Sequence, residues 1–236
     1  MISEARELLR RWLSAPELKV ILVDADDTIW HDSRYFRIVE TVLLTEVERE
    51  GGVRDVAIAD LRDALKKHGA GEQGFIQAVL EVTATHCPRD RSAVASACEA
   101  FAQHPVEVLA GVSRTLEALH FLRRILLTKG IDAEQRRKLH ASGLSNLFDE
   151  VVILEQKNTT ALAGVLAQRG LAGSDVIAVG NSVRHDILPA LANGARAVWL
   201  NHPENTFGRN EPLPEGACEV GDWATILDAL PSRPAS

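Results

Sequence analysis

No segment of this 236-residue chain is apolar over the length that a bilayer requires. The opening stretch MISEARELLRRWLSAPELKV carries Leu8, Leu9, Trp12 and Leu13 at helical spacing among charges, without the continuous apolar centre of a signal peptide. No membrane is therefore expected as a partner, and a cytoplasmic location is. Cysteine is scarce. Cys87, Cys98 and Cys218 are odd in number and fit no metal-ligand spacing, so they read as small thiols of a reducing compartment. Positive charge is in deficit, with 26 Lys and Arg against 33 Asp and Glu. With a net charge of −7 and no basic stripe interleaved with aromatics, nucleic acid is excluded as a general partner. A small phosphorylated molecule is not excluded, because it needs positive charge only locally. Internal repeats are absent as well.

What the chain does have is apolar patterning. At 46% hydrophobic content it can bury a sizeable core, and its length suits one α/β domain with a smaller one inserted. Strand-like runs occur at Lys19–Asp24, Ile125–Thr128, Val151–Leu154, Val176–Gly180 and Ala197–Leu200. Helical patterns separate most of them, at Gly111–Leu122, Glu134–Ala141 and Thr160–Gln168, which predicts a parallel, doubly wound sheet. Residues 32–108 break the alternation. They hold no convincing strand but four helical stretches, Tyr35–Glu50, Val56–Lys67, Phe75–Thr85 and Ser92–Gln103. The expected organisation is an α/β core of residues 1–31 and 109–236 with a helical insertion of residues 32–108. Gly69, Gly71 and Gly74 spell GxGxxG, but they follow the helical ALKKH rather than a strand. They therefore read as a break between helices and not as a dinucleotide-binding turn. The Pro-containing tail Pro231–Ser236 reads as frayed.

The most informative segment is KVILVDADDTIW, Lys19 to Trp30. Its aliphatic run Val20–Val23 suits a strand covered on both faces, and in open α/β sheets chemistry lies beyond the carboxyl ends of such strands. If the chain stays extended, Asp24, Asp26 and Thr28 share one side, with Asp27 on the other as a turn or surface residue. Two clustered carboxylates repel and are costly to desolvate, which favours a site over a structural role.

An apolar strand followed by Asp-x-Asp-x-Thr resembles the first motif of the haloacid dehalogenase-like (HAD) hydrolase superfamily. Further segments follow in that family's order. ILLTKG (Ile125–Gly130) resembles the second motif, Lys157 stands at the place of the third, and VIAVGNSVRHDI (Val176–Ile187) resembles the fourth. The resemblance spans about Lys19 to Leu200, and it is to the phosphatase branch whose first motif runs into a Trp and whose fourth reads Gly-Asn-Ser. It implies a Rossmann-like α/β sheet of HAD type with the insertion serving as a helical cap domain over the site. The implied activity is Mg²⁺-dependent hydrolysis of a small phosphorylated metabolite, a sugar phosphate or a nucleotide-like molecule, through an aspartyl-phosphate.

The resemblance assigns roles residue by residue. Asp24 is the nucleophile, since a carboxylate is ionised at pH 7 without an activating base. Asp26 is the general acid and base, and family members that displace halide from carbon characteristically lack it. Thr128 and Lys157 hold the phosphoryl oxygens. Lys129 is either a second cation on the phosphate or a solvent-facing side chain. Asp24, Asp186, Asn181 and the backbone carbonyl of Asp26 form the expected Mg²⁺ site, all-oxygen as that ion prefers. Asn181 departs from the Asp common in the family. With three carboxylates set against two lysines and a divalent cation, an amide there preserves the positive surplus that meets a phosphate dianion. His185 reads as a helix-surface residue, Trp30 and His31 as part of a flap leading into the cap, and the polar stretch Asn201–Glu215 as either a wall of the site or a surface loop. Gln73 and Phe75, beside the glycine break, are the cap positions expected to meet substrate. The alternatives are a phosphomutase, a dehalogenase and a non-catalytic HAD-fold protein that binds a ligand or partner.

Overall fold

Aliphatic side chains of both parities can be buried together only where helices cover both faces of a sheet, and all four residues of the first strand, Val20–Val23, are buried. The computed structural model describes residues 2–69, 71–204 and 210–231. Its strands are β1 (Val20–Val23), β2 (Arg123–Lys129), β3 (Glu150–Leu154), β4 (Val176–Gly180), β5 (Arg196–Leu200) and β6 (Ala217–Val220). They form one sheet in the order β3-β2-β1-β4-β5-β6 with every pairing parallel. Strand order reverses between β1 and β4, so the crevice beyond their carboxyl ends is the ligand position of an open α/β sheet. The register sets the ends level: Val23 lies beside Leu126 of β2 and Val179 of β4.

Five of these strands stand where apolar patterning places them. The sixth, β6, was not among them. It has four residues and a single exposed side chain, Glu219, between buried Cys218 and Val220, too short a run to show a period. Helices α1 (Ile2–Leu13), α2 (Ser33–Arg49), α3 (Arg54–His68), α4 (Glu72–His86), α5 (Ser92–Ala102), α6 (Val112–Ala118), α7 (Asp132–Ala141), α8 (Thr159–Ala167), α9 (Leu188–Ala192) and α10 (Trp223–Asp228) complete the chain. On one face of the sheet Leu22, Leu127 and Ala178 pack with Leu162 and Leu166 of α8 and Ala190 of α9.

The chain divides into two compact units, Met1–His31 with Glu107–Ser236, and Asp32–Val106. The second consists of α2 to α5. Val39, Leu43 and Val47 recur one turn apart on α2 and share a core with Leu61 of α3 and Val79 of α4. The rings of Phe36, Phe75 and Phe101 meet with centroids 4.8 to 5.3 Å apart. The glycine string separates α3 from α4, as its helical context implies. Gly69 and Gly71 have φ of 83° and 93°, and a β-carbon on Gly74 would lie 2.3 Å from the Gly69 carbonyl oxygen. Cys87, Cys98 and Cys218 are buried free thiols. No helix among the described residues is long and apolar enough to cross a membrane. Residues 205–209 of the Asn201–Glu215 stretch and 232–236 of the tail lie outside the described residues.

Candidate active site

The extended alternation expected after β1 does not continue. The Thr28 and Ile29 amides donate back to the Ala25 carbonyl at 3.0 and 2.8 Å, and Asp27 takes a φ of 54°. The turn sends Asp24 and Asp26 to different partners. Asp27 is a turn residue, as expected, but a buried one, and its carbonyl accepts from Nε2 of His202 at 3.0 Å.

Asp24 is the centre of a buried polar cluster. Lys157, from the loop between β3 and α8, places its ammonium 2.6 Å from Asp24 Oδ1 and 2.5 Å from Asp186 Oδ1. The Thr28 hydroxyl donates to Asp24 Oδ2 at 3.1 Å while accepting from the Asn181 amide at 3.1 Å, so it ties the β1 turn to the loop after β4. Asp186 lies in a π-helical turn, Val183–Ile187, where its Oδ2 accepts from the Ser182 amide at 2.9 Å. Gly180 makes room for it: a β-carbon there would stand 2.3 Å from the Asp186 carboxylate carbon. One ammonium thus faces two buried carboxylates. Burial, followed by the charge of Asp186, pushes the Asp24 carboxyl up to about 7, with Lys157 acting in the opposite sense. Burial lowers the Lys157 ammonium, but the Asp186 and Asp24 charges outweigh it and the net shift is upward.

Asp26 sits apart from this cluster and is only partly covered. Trp30 Nε1 donates to its Oδ1 at 2.8 Å, Gln135 Nε2 donates to its Oδ2 at 2.7 Å, and the Lys138 ammonium stands 3.3 Å from Oδ1. The two carboxylates of the first motif therefore have separate environments, one buried against Lys157 and one held by three donors at the edge of solvent. Distinct environments are what allow paired carboxylates to take distinct chemical roles.

The other candidate residues divide. Thr128 ends β2 beside β1 and is buried, and its hydroxyl donates at 3.4 Å to the Lys129 carbonyl rather than to the Asp24 cluster. Lys129 is exposed, yet near enough to help depress His185 below the ordinary imidazole range, after burial as the larger cause. His185 is partly buried rather than at the surface, with Nδ1 at 3.3 Å from the Lys157 carbonyl. Trp30 is fully buried, which makes it a packed partner of Asp26 and not an entrance residue. His31 lies 3.4 Å from Glu204. In the helical unit Gln73 is exposed, whereas Phe75 is 6% exposed and belongs to the aromatic core. Its ring is engaged in packing with Phe36 and Phe101.

Five residues of the site have no signal in the motifs. Gln135 and Lys138 come from α7, which reads in sequence only as charged and amphipathic. Indole N–H groups brace two of the motif loops from outside: Trp199 donates to the Asn181 carbonyl at 2.9 Å and Trp223 to the Thr28 carbonyl at 2.7 Å. His202 adds the bond to Asp27.

Among the described residues, no three His, Cys, Asp or Glu side chains converge as a metal cluster. A hard cation that keeps several waters requires only one or two carboxylates. A single ammonium, that of Lys157, serves the carboxylates of both Asp24 and Asp186, so a second cation is needed before both can be ionised together. The side-chain oxygens of Asp24, Asp186 and Asn181 with the Asp26 carbonyl therefore make a donor set suited to such an ion.

The model of the haloacid dehalogenase-like hydrolases matches residues 18–194. The chain belongs to this hydrolase family. Similar solved structures cover nearly all of it. A haloacid dehalogenase-like family hydrolase from Xanthomonas campestris is 27% identical, with a TM-score of 0.72 over 90% of this chain and 96% of its own. HAD-hydrolase YfnB from Bacillus subtilis, solved bound to magnesium, is 14% identical with a TM-score of 0.61, over 90% and 98%. A 2-haloacid dehalogenase from Pseudomonas syringae is 20% identical with a TM-score of 0.55, over 90% and 98%. The last two likenesses concern the fold alone. No curated protein sequence matches the chain.

Proposed function

We propose that this hydrolase is a Mg²⁺-dependent phosphomonoesterase that acts on a small phosphorylated metabolite, a sugar phosphate or nucleotide-like molecule, through an aspartyl-phosphate on Asp24. The observation that carries the reading is the division of labour between Asp24, buried against Lys157, and Asp26, held separately by Trp30, Gln135 and Lys138. Displacement of halide from carbon needs a nucleophile but no acid for the leaving group, and Asp26 is then superfluous. Phosphate ester cleavage needs both.

In the first step an Asp24 oxygen attacks phosphorus, the bond from phosphorus to the ester oxygen breaks, and Asp26 gives its proton to that oxygen. In the second, water attacks phosphorus, Asp26 takes the water's proton, and Asp24 leaves as the carboxylate. Lys157 neutralises the nonbridging oxygens throughout. Mg²⁺, held by Asp24, Asp186, Asn181 and the Asp26 carbonyl, supplies when bound the positive charge that lets a phosphate dianion approach two carboxylates.

By family resemblance the unit Asp32–Val106 selects the substrate, with Gln73 as an exposed position of interest and Thr128 and Lys129 as further phosphate contacts. The test is a screen of phosphorylated metabolites and haloacids with Mg²⁺ and with chelator. Phosphate release that requires Mg²⁺, without halide release, supports the reading. Halide release alone, or no turnover at all, overturns it in favour of a dehalogenase or a binding protein respectively.

A further inference from the structure

We infer that Lys138, together with Gln135, is a positioning residue that fixes the Asp26 carboxylate for proton exchange with the leaving group and with water. The inference rests on the phosphatase reading above and deepens it. Lys138 and Gln135 lie one turn apart on α7, both turned inward, at 1% and 3% exposure. A buried ammonium is costly to desolvate unless it is paired, and Lys138 has Glu134 of its own helix at 3.4 Å as well as Asp26 at 3.3 Å. Glu134 already neutralises it within the helix, so the reach to Asp26 serves Asp26. Gln135 is arranged with similar one-sidedness. Its amide nitrogen donates to Asp26 at 2.7 Å while its own Oε1 is buried without a hydrogen-bond partner. A buried orphan acceptor opposes stability, and it marks a side chain committed to one neighbour.

An ionised carboxylate has about four lone-pair sites. Trp30 and Lys138 take two on Oδ1 of Asp26 and Gln135 takes one on Oδ2. A proton can then join or leave only at the remaining Oδ2 site. The Asp26 side chain is 29% exposed, so the carboxylate as a whole remains partly open to an incoming group. Holding the reactive group's rotamer through such neighbours is worth orders of magnitude in rate where proton transfer limits turnover.

The test uses the Mg²⁺-loaded full-length enzyme and the variants Lys138→Met and Gln135→Met, with an alkyl phosphate and 4-nitrophenyl phosphate as substrates. A good aryl leaving group needs no acid, so its release in the first turnover reports Asp24 alone, while alkyl phosphate turnover and the hydrolytic second step report Asp26. In Lys138→Met, kcat on the alkyl phosphate should fall by about 30- to 100-fold with KM within about twofold. The first-turnover burst of 4-nitrophenol should keep its rate within about threefold. Gln135→Met should follow the same pattern at about a tenth of the loss, and it carries the test should Lys138→Met fail to fold. Equal losses in burst and alkyl turnover would mean a structural role, and unchanged alkyl turnover would mean none. Either overturns the inference while leaving the phosphatase reading intact. A wild-type enzyme without phosphatase activity would instead remove that reading, and the inference with it.

Discussion

At Asp24 function and stability pull in opposite directions. With one ammonium between two buried carboxylates, Asp24 holds its proton up to about 7 instead of the ordinary 3.8. Because the folded-state value is raised, the associated stability is present below the ordinary value and is lost as pH rises through about 7. Asp24→Asn leaves Lys157 paired one-to-one with Asp186, so without Mg²⁺ it should be more stable than wild type by a few degrees in Tm at pH 8. The gap should close as pH falls toward 4, which thermal unfolding across that range checks. The same variant should have no turnover, because an amide does not attack phosphorus. At Asn181 the expectation concerns charge: Asn181→Asp should tighten Mg²⁺ binding and raise KM for the phosphate dianion, both readable by titration and steady-state kinetics. Asp24, Lys157 and Asp186 were legible in the sequence because their order and their strand-end positions are. Lys138 was not, because an isolated lysine on a charged helix defaults to solvent and only tertiary packing shows otherwise.

Among the elements, the loop from β4 into the π-helical turn is the one whose backbone is most committed to the site. Gly180→Ala puts a methyl group 2.3 Å from the Asp186 carboxylate, so the carboxylate must leave the Ser182 amide. The expected result is a Mg²⁺ half-saturation at least about tenfold higher and an overpacking cost of about 1 to 3 kcal/mol by denaturant unfolding. In the helical unit, acid acts through Asp90, which the Ser92 hydroxyl and amide and Arg49 hold down at about 2. Since that value is depressed, its contribution is present above the ordinary 3.8 and is lost as pH falls toward about 2. Asp90→Ala should therefore unfold at lower urea than wild type at pH 6, with the two midpoints converging near pH 2. Helices α2 to α5 were legible because each carries several turns of apolar periodicity. The turn after β1 was legible only as a turn at Asp27, and not as the reversal that separates Asp24 from Asp26, because parity describes a strand only while the chain remains one.

For the molecule as a whole, the parallel sheet and the helical stretch between β1 and β2 were readable from alternation and spacing, whereas the strand order that sets the switch point was not, and the edge strand β6 was too short to register. On the proposed phosphatase reading, the carboxyl end of β1 carries a covalent phosphoryl intermediate on Asp24. The most direct measurement is rapid acid quench of the Mg²⁺-loaded enzyme during turnover of a phosphate ester, followed by peptide mass analysis. A phosphoryl group is expected on the peptide containing Asp24, stable to acid and released by hydroxylamine, more abundant in Asp26→Asn because the second step is slowed. Phosphate release without any covalent label, or a label on another residue, would contradict it.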